Sequence, residues 1–263
     1  MVKISVVYNT IRPGGVDILY NNLIKQTFED FEVIFLDAWN IDREVEVKKA
    51  LSVFDLKYLK GLPKKENDVW TLNKDYNLAL KNCTGELIVF LQDYLWIPPN
   101  TLQEFWDTYQ ENPNALQSAV GNKAKEPDVA TDINGKITIF GSNYDGVPQG
   151  ISEVDDRFDG KSEILVSDWT RWEMNLACAP KKILDKIGGF EEDMDTVYSG
   201  DNYVLAAKAW FLGGAKFLLN KNIRMIGFNQ SAFFPRPELW EEKHANKGYL
   251  GTKIDKIFNG IPA

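Results

Sequence analysis

The stretch from Leu87 to Asp93, LIVFLQD, decides the fold class. Its first five residues are apolar without interruption, and a polar pair, Gln92 and Asp93, follows at once. A strand with one face in water alternates apolar and polar residues, whereas an unbroken apolar run is typical of a central strand covered on both faces. The stretch therefore predicts a buried strand in the middle of an α/β sheet.

The residues before this stretch alternate between strand-like and helix-like patterns. Runs of β-forming residues predict strands at Val2–Tyr8, Glu32–Leu36 and Asp55–Leu59. Apolar residues between them recur at helical spacing, and the clearest stripe is Val16, Leu19, Tyr20, Leu23 and Ile24. Such an alternating order favours parallel strands joined by helical crossovers. We therefore predict an α/β protein with a Rossmann-like, mostly parallel central sheet flanked by helices.

The second half of the chain carries weaker strand signals. Apolar spacing predicts three further helices, near residues 102–109, 180–187 and 203–210. Residues 121–162 are rich in Gly, Asp, Asn and Pro, and they predict loops around a short strand at Lys136–Phe140. The tail from Pro237 is expected to be helical.

Composition excludes several classes of protein. A formal net charge of −8 over 263 residues argues against a general nucleic-acid or anionic-membrane surface. No apolar run approaches the ~18 residues that a membrane span needs, and the opening MVKISVVYNT fits a first strand better than a signal peptide. With two cysteines, Cys83 and Cys178, no disulfide framework is expected, and the simplest location is cytoplasmic.

Polar groups follow three of the predicted strands. They are Asn9 to Arg12 after the first strand, Asp37 after the second, and Gln92 to Tyr94 after the central one. Ligands of open α/β sheets bind beyond the carboxyl ends of the strands. For a ligand that is a nucleoside diphosphate, Asp37 is placed to accept a hydrogen bond from an N–H of the base. Asp93 is placed to hold Mg²⁺ or Mn²⁺ beside the diphosphate. The alternative for either Asp is a turn former or a helix cap.

Three segments, taken in order, resemble family 2 glycosyltransferases of the GT-A fold. The opening SVVYNTIRPGG…LIKQTFEDFEVIFLDAWN is similar to the family's strand, helix and strand ending in Asp. Next, NKDYNLALKNCTGELIVFLQDYLWIPPNTLQEF resembles its Asn-containing helix, Thr-Gly-Glu turn and metal-binding Asp-x-Asp loop. Then PKKILDKIGGFEEDMDTVYSGDNYVLAAKAWFLGG resembles its Gly-Gly-Phe segment and the acidic pair that opens a helix.

The resemblance implies a site for a nucleotide-sugar donor. The donor-binding residues it implies are Thr10, Arg12, Asp37, Asn77, Gln92 and Asp93. Tyr76 stands where the family has Arg before the Asn, and Gln92 and Tyr94 replace both flanking acids of the Asp-x-Asp loop. Asp93 is therefore the remaining implied ligand for Mn²⁺ or Mg²⁺. His244, the only histidine, is a weaker candidate metal ligand, and its alternative is an ordinary surface residue.

The resemblance also implies an acceptor side and a base. Glu191 and Glu192 fall on the family's acceptor-contacting pair, and Asp201 on the acidic pair whose carboxylate removes the acceptor proton during inverting transfer. The alternative for Asp201 is a helix N-cap, which is compatible with the first role. Trp169 and Trp172 flank Arg171, as rings that stack on an acceptor sugar would, although two buried tryptophans would give the same pattern. The acidic runs Glu191–Asp195 and Asp155–Asp156 are expected to be solvated loop charge.

The predicted function is transfer of a sugar, most simply from a UDP-sugar, to a hydroxyl of a glycan, a lipid-linked precursor or another acceptor. We expect a nucleotide-sugar-binding half, 1–100, an acceptor-binding and catalytic half of the same domain, 101–235, and a C-terminal helical tail, 236–263. One alternative is a non-catalytic nucleotide- or sugar-binding protein, because flanking acids are lost. A weaker one is a sugar-1-phosphate nucleotidyltransferase, whose Gly-rich loop with a trailing Lys is poorly matched by Arg12 to Gly15.

Overall fold

The computed structural model describes residues 2–12, 14–38, 42–128, 146–197, 200–229 and 247–259. The strand predicted at Lys136–Phe140 and the candidate ligand His244 lie outside these ranges.

The first half forms the parallel part of the sheet, as predicted. Its strands are β1 (Ile4–Thr10), β2 (Phe31–Asp37), β3 (Leu56–Lys60) and β4 (Leu87–Gln92). They lie side by side in the order β3-β2-β1-β4, and each neighbouring pair is parallel. The connecting helices are α1 (Val16–Leu23), α2 (Glu44–Ala50) and α3 (Leu72–Asn82).

The second half continues the same sheet with mixed directions. Its strands are β5 (Leu95–Trp96), β6 (Ala115–Asp128), β7 (Gln149–Glu153), β8 (Ile164–Val166), β9 (Leu176–Pro180) and β10 (Lys216–Asn229). The order continues as β4-β9-β6-β10-β5, where β9 is antiparallel to β4 and β6, and β6 is parallel to β10. The expectation of loops from residue 121 was wrong for 121–128, which belong to β6, and for β7.

Four more helices cover this half. They are α4 (Thr101–Glu111), α5 (Lys181–Ile187), α6 (Asp201–Lys208) and α7 (Lys247–Phe258). The predicted end of α5 is confirmed, because Gly188 follows it with φ 74°, a left-handed conformation that favours glycine. A π-helical turn, Ala209–Gly213, extends α6 toward β10.

Side chains of the parallel strands alternate between two hydrophobic layers. Val6 and Tyr8 pack with α1, α2 and α4 on one face, whereas Val7 packs with α3, α5 and α6 on the other. The register places Thr10 beside Asp37, and Asn9 beside Gln92. The predicted polar strand ends are therefore neighbours at one edge of the sheet.

The opposite, amino ends of the strands are tied together by a buried carboxylate. Glu32 is 1% exposed and accepts hydrogen bonds from Ser5 Oγ (2.6 Å), Lys57 Nζ (2.6 Å) and the backbone N–H of Thr84 (2.6 Å). Burial opposes its ionisation, but these bonds lower the pKa of Glu32. We call Ser5, Glu32, Lys57 and Thr84 the Glu32 cluster; it joins β1, β2, β3 and the turn before β4.

Candidate active site

Thr10, Arg12 and Asp93 meet where β1 and β4 end. The Thr10 hydroxyl donates to Asp93 Oδ2 at 2.7 Å, and Arg12 Nη2 lies 3.2 Å from Asp93 Oδ1. Asp93 is 6% exposed, and the Arg12 guanidinium lies 5.5 Å from the centre of the Tyr94 ring. Tyr94 has φ 56°, a left-handed conformation that is unfavourable for a large side chain, and it turns the chain sharply after β4. The structure thus brings together three of the six predicted donor residues.

A cavity of about 650 Å³ opens beside Asp93. Arg12, Gln92 and Asp93 line one side, and β6, β7 and the end of β10 line the other. Its acidic lining residues are Asp93, Glu153, Asp155, Asp156 and Glu173, against the cations Arg12 and Lys123. Lys123 Nζ is itself 2.6 Å from Glu153. The volume suits a ligand of sugar-nucleotide size, and the walls are predominantly acidic.

One wall of this cavity is held by a buried ion pair. Arg157 donates to both oxygens of Asp155, at 2.9 and 2.6 Å, and Asp155 Oδ2 also accepts from the Gly121 N–H at 2.8 Å. Burial opposes ionisation, yet these bonds lower the pKa of Asp155. The expectation that Asp155 is solvated loop charge was therefore wrong, since its side chain is 8% exposed and fixes the turn after β7 against β6.

Asp37 sits beside Thr10, but both of its oxygens contact other side chains. Arg43 donates to Oδ2 at 2.6 Å and to Oδ1 at 2.8 Å, and the Tyr58 hydroxyl donates to Oδ2 at 2.8 Å. Burial, followed by this hydrogen bond, raises the pKa of Tyr58. Contact between Asp37 and a base stays a prediction.

Asp201 is the first residue of α6 and is partly buried. Burial, and then the charge of Asp195, raise its pKa to about 6, although the backbone N–H groups of Asp201 and Asn202 favour the ionised form. Gly200, with φ 102°, is the residue that precedes the helix, so Asp201 interacts with the first turn from inside it. The N-cap of α6 is therefore Gly200, the interpretation of Asp201 as the N-cap was wrong, and its role as a base stays a prediction.

Tyr76 on α3 is buried among aromatic side chains. It is 3% exposed, stacks on Phe190 with 4.8 Å between ring centres, and meets Phe90 edge to face. Its pKa is raised by burial and then by the charges of Asp201 and Asp93, which both lie within electrostatic range of the hydroxyl. A neutral phenol therefore occupies the position where the resembled family has Arg.

Asp201 does not line the large cavity, but its neighbour reaches the cavity wall. Asn202 Nδ2 donates to the Trp172 carbonyl at 3.3 Å, and the next residue, Glu173, lines the cavity. The amino end of α6 thus lies one residue from that wall.

Asn77 and Glu192 join α3 to the Gly-Gly-Phe segment. The Asn77 side chain accepts from the Phe190 N–H at 2.8 Å and donates to the Phe190 carbonyl at 2.9 Å and to Glu192 Oε1 at 3.1 Å. Both amide donors are thereby used. Neither residue lines the cavity, so a donor contact by Asn77 and an acceptor contact by Glu192 stay predictions.

Glu191 is held by two lysines. Its Oε1 is 2.5 Å from Lys208 Nζ on α6, and its Oε2 is 3.3 Å from Lys253 Nζ on α7. These contacts fasten the Gly-Gly-Phe segment to both helices, and the predicted acceptor role of Glu191 stays a prediction.

Trp172 is part of the core. It is 1% exposed, its Nε1 donates to the Gln117 carbonyl at 3.1 Å, and its ring packs edge to face on Phe90 and Phe217. No face of the ring is open to an acceptor sugar, so the alternative of core packing describes it. Trp169 is partly exposed beside Phe211, with 6.0 Å between ring centres, and its acceptor role stays a prediction.

The burial of two polar residues was not predicted from the sequence. Asp195 is 0% exposed and accepts from the N–H groups of Asn73 (2.8 Å) and Lys74 (3.1 Å), so it caps α3 rather than being solvated. Asn9 is 7% exposed, and neither atom of its amide has a hydrogen-bond partner among the described residues. An Asp inside an acidic run and an Asn inside a strand gave no signal of burial.

The described residues do not fit a divalent metal in this arrangement. Within the described ranges, no group of three or more His, Cys, Asp or Glu side chains is placed to hold an ion. Both oxygens of Asp93 have partners, one of them a cation, and the neighbouring Gln92 and Tyr94 are neutral.

None of the helices in the described part of the chain is both long and apolar enough to cross a membrane.

Comparison with solved structures supports the fold. The chain matches S. aureus TarS 1-349 in complex with UDP with a TM-score of 0.63 at 17% identity, covering 97% of this chain and 69% of that one. It matches TarS 1-349 with UDP-GlcNAc at 0.62 and 17%, covering 97% and 70%. GalNAc-T7 with UDP, GalNAc and Mn²⁺ gives 0.64 at 12%, covering 93% and 47%. No curated protein sequence matches the chain.

The family is shown by sequence. The model of glycosyl transferase family 2 matches residues 4–148, from β1 through the cavity-lining part of β6. That range exceeds half of the 263 residues. The chain therefore belongs to glycosyl transferase family 2, and it is a glycosyltransferase with a GT-A fold.

Proposed function

We propose that the enzyme transfers a sugar from a UDP-sugar to a hydroxyl acceptor, with inversion at the anomeric carbon. The observation that carries the proposal is the meeting of Thr10, Arg12 and Asp93 beside the 650 Å³ cavity, at the strand ends where ligands of α/β sheets bind. UDP is favoured as the nucleotide because the structures similar to this one include complexes with UDP and UDP-GlcNAc.

The donor side consists of β1, β2 and β4. Thr10, Arg12, Gln92 and Asp93 lie around the diphosphate and the sugar, and Asp37 meets the base. Arg12 supplies N–H donors and positive charge to the leaving group. Mn²⁺ or Mg²⁺ would supply the same compensation, as the Mn²⁺ complex of GalNAc-T7 suggests, but it would have to displace Arg12 from Asp93.

The acceptor side provides the base. As the acceptor oxygen attacks the anomeric carbon, the bond from that carbon to the diphosphate oxygen breaks, and UDP leaves with the electron pair. The acceptor proton passes to Asp201. A carboxyl pKa of about 6 suits this role, because the group is ionised at neutral pH and is more basic than an ordinary Asp.

The acceptor is a hydroxyl of a glycan, a lipid-linked sugar or another small molecule, and the acidic cavity disfavours nucleic acid.

We place the enzyme in the cytoplasm, in keeping with two buried free cysteines. The non-catalytic alternative keeps one specific argument, the neutral residues Gln92 and Tyr94 beside Asp93.

The first experiment titrates UDP, GDP and their common sugars by calorimetry into the wild type and into Asp93→Ala. UDP binding that is weakened in Asp93→Ala supports the donor site. Release of UDP from a UDP-sugar then separates an enzyme from the non-catalytic alternative, which binds without turnover. Absence of binding to every nucleotide would refute the proposal.

A further inference from the structure

Asp93 is the acid that would hold a metal, and a cation of the protein already lies against it. Its Oδ1 is 3.2 Å from Arg12 Nη2, and its Oδ2 accepts from Thr10 Oγ1 at 2.7 Å. With a relative exposure of 6%, Asp93 has little water to compensate its charge. Its buried charge is thus balanced by Arg12.

We propose that Arg12, positioned by Asp93, compensates the charge of the donor diphosphate, so that nucleotide binding does not require a divalent metal. This inference rests on the proposed function, since it concerns the same donor site. It assigns Asp93 to a positioning role rather than to metal binding.

Arg12 is held in place by more than the ion pair. Its own N–H donates to Thr10 Oγ1 at 3.1 Å, which bends the chain directly after β1. Its guanidinium lies over Tyr94, its side chain is 27% exposed, and Arg12 lines the cavity. A guanidinium has five N–H donors in a planar fork, so Arg12 can keep its contact with Asp93 and still donate to phosphate oxygens.

The neutral residues next to Asp93 agree with this arrangement. In a metal site, several carboxylates offset the charge of the dication. Without the dication, carboxylates at positions 92 and 94 would add to the acids that already line the cavity and would repel a diphosphate further. Gln92 lines the cavity as a neutral amide, and Tyr94 offers a phenol where a carboxylate would stand.

A dication placed on Asp93 would also face Arg12 at close range. The two cations would repel each other in a site with little water, so metal binding would have to move the guanidinium away. Within the described ranges, no second and third acid are arranged to compensate for that cost.

The test measures binding of UDP and of uridine by calorimetry, in EDTA and in Mn²⁺. Uridine lacks the diphosphate, so it reports on the base and ribose contacts alone. The variants are Arg12→Gln and Arg12→Ala, and Lys123→Ala is the matched control because Lys123 also lines the cavity. Unchanged uridine binding also shows that the variants are folded.

We expect the Kd for UDP in EDTA and in Mn²⁺ to agree within about threefold. Both Arg12 variants should weaken UDP binding by about tenfold or more with uridine unchanged, and Lys123→Ala should stay within about twofold of wild type. UDP binding that requires Mn²⁺ and is insensitive to Arg12 overturns the inference and leaves the transferase proposal standing. Binding of no nucleotide under either condition overturns both.

Discussion

The pH dependence of transfer gives the most direct test of Asp201. Its pKa is raised from 3.8 to about 6, first by burial and then by Asp195. If its carboxylate takes the acceptor proton, kcat/KM follows the ionised fraction, which is nearly complete at about pH 7.5 and about one-tenth at about pH 5. We therefore expect a loss of about tenfold between these pH values. An Asp with its ordinary pKa would lose less than about a tenth over the same range.

Replacing the Asp201 carboxylate should lower the rate of transfer and abolish the decrease of kcat/KM toward acid pH, which we call the acid limb. Asp201→Asn keeps the size of the side chain, and we expect kcat/KM to fall by about 10²–10⁴, corresponding to about 3–5 kcal/mol of transition-state stabilisation. UDP affinity should stay unchanged, because Asp201 does not line the cavity beside Asp93. The assay is UDP release from a donor that calorimetry has identified, measured with and without acceptor from about pH 4.5 to 8.

The control is a second carboxyl with a similar pKa. Burial raises the pKa of Asp75 to about 6 as well, but its oxygens accept from the Leu62 N–H (2.8 Å) and Thr71 Oγ1 (2.7 Å), away from the cavity. Asp75→Asn should therefore retain the acid limb. A limb near pH 6 that survives in Asp201→Asn, or a wild-type limb near pH 4, would refute the role of Asp201.

Acid unfolding can be separated from this effect. A carboxyl group whose pKa is raised by folding favours the native state in its neutral form, so its contribution is complete below its unfolded pKa near 4 and is lost as the pH rises through about 6. Asp75 and Asp201 therefore stabilise the fold toward acid pH, opposite to the expected change in rate. Circular dichroism at each pH shows whether other groups unfold the chain.

Three further changes test the packing around the site. Asn77→Ala should lower the free energy of unfolding in urea by about 1–3 kcal/mol, because it leaves backbone groups of Phe190 without partners. If the affinity for UDP is unchanged in this variant, the role of Asn77 is purely structural; a weakened affinity supports a donor contact. Trp172→Ala should cost about 3–5 kcal/mol because the side chain is fully buried; a loss of acceptor affinity at unchanged stability would contradict its placement in the core. Gly85→Ala should cost about 1–3 kcal/mol, since a Cβ there would lie 2.5 Å from the Ser5 backbone nitrogen, and a melting temperature equal to wild type would contradict this close approach.

The parallel half of the fold was predictable because its central strands are mostly apolar. Buried parallel strands are apolar on both faces, so Leu87–Gln92 and Phe31–Asp37 stand out from the polar segments around them. β10 breaks that rule with Asn220 and Lys221, which are 0% and 1% exposed. Lys221 is paired with Asp159 and Glu163 at 2.8 Å, far away in sequence. A single-sequence pattern contains no sign of such compensation, so β10 was missed.

The candidate active site also has a part that could be predicted from the sequence and a part that could not. That the ends of β1, β2 and β4 meet follows from the order of parallel strands, so Thr10 and Asp93 could be expected to lie close together. The partners of Asp37 and Asn77 could not be predicted, because Tyr58 and Phe190 reach them through tertiary contacts. Asp195 shows the limit most clearly, since its role as a cap depends on a helix more than a hundred residues earlier in the chain.

The Glu32 cluster has a consequence for how this enzyme tolerates change. It fastens the strands at their amino ends, so the alignment of β1, β2 and β4 does not depend on the side chains that project from their carboxyl ends. Substitutions at positions such as Gln92 can then alter ligand chemistry while the scaffold keeps its register. A mutational library confined to the carboxyl ends should yield mostly folded proteins with altered donor preference, whereas one confined to the Glu32 cluster should yield mostly unfolded ones.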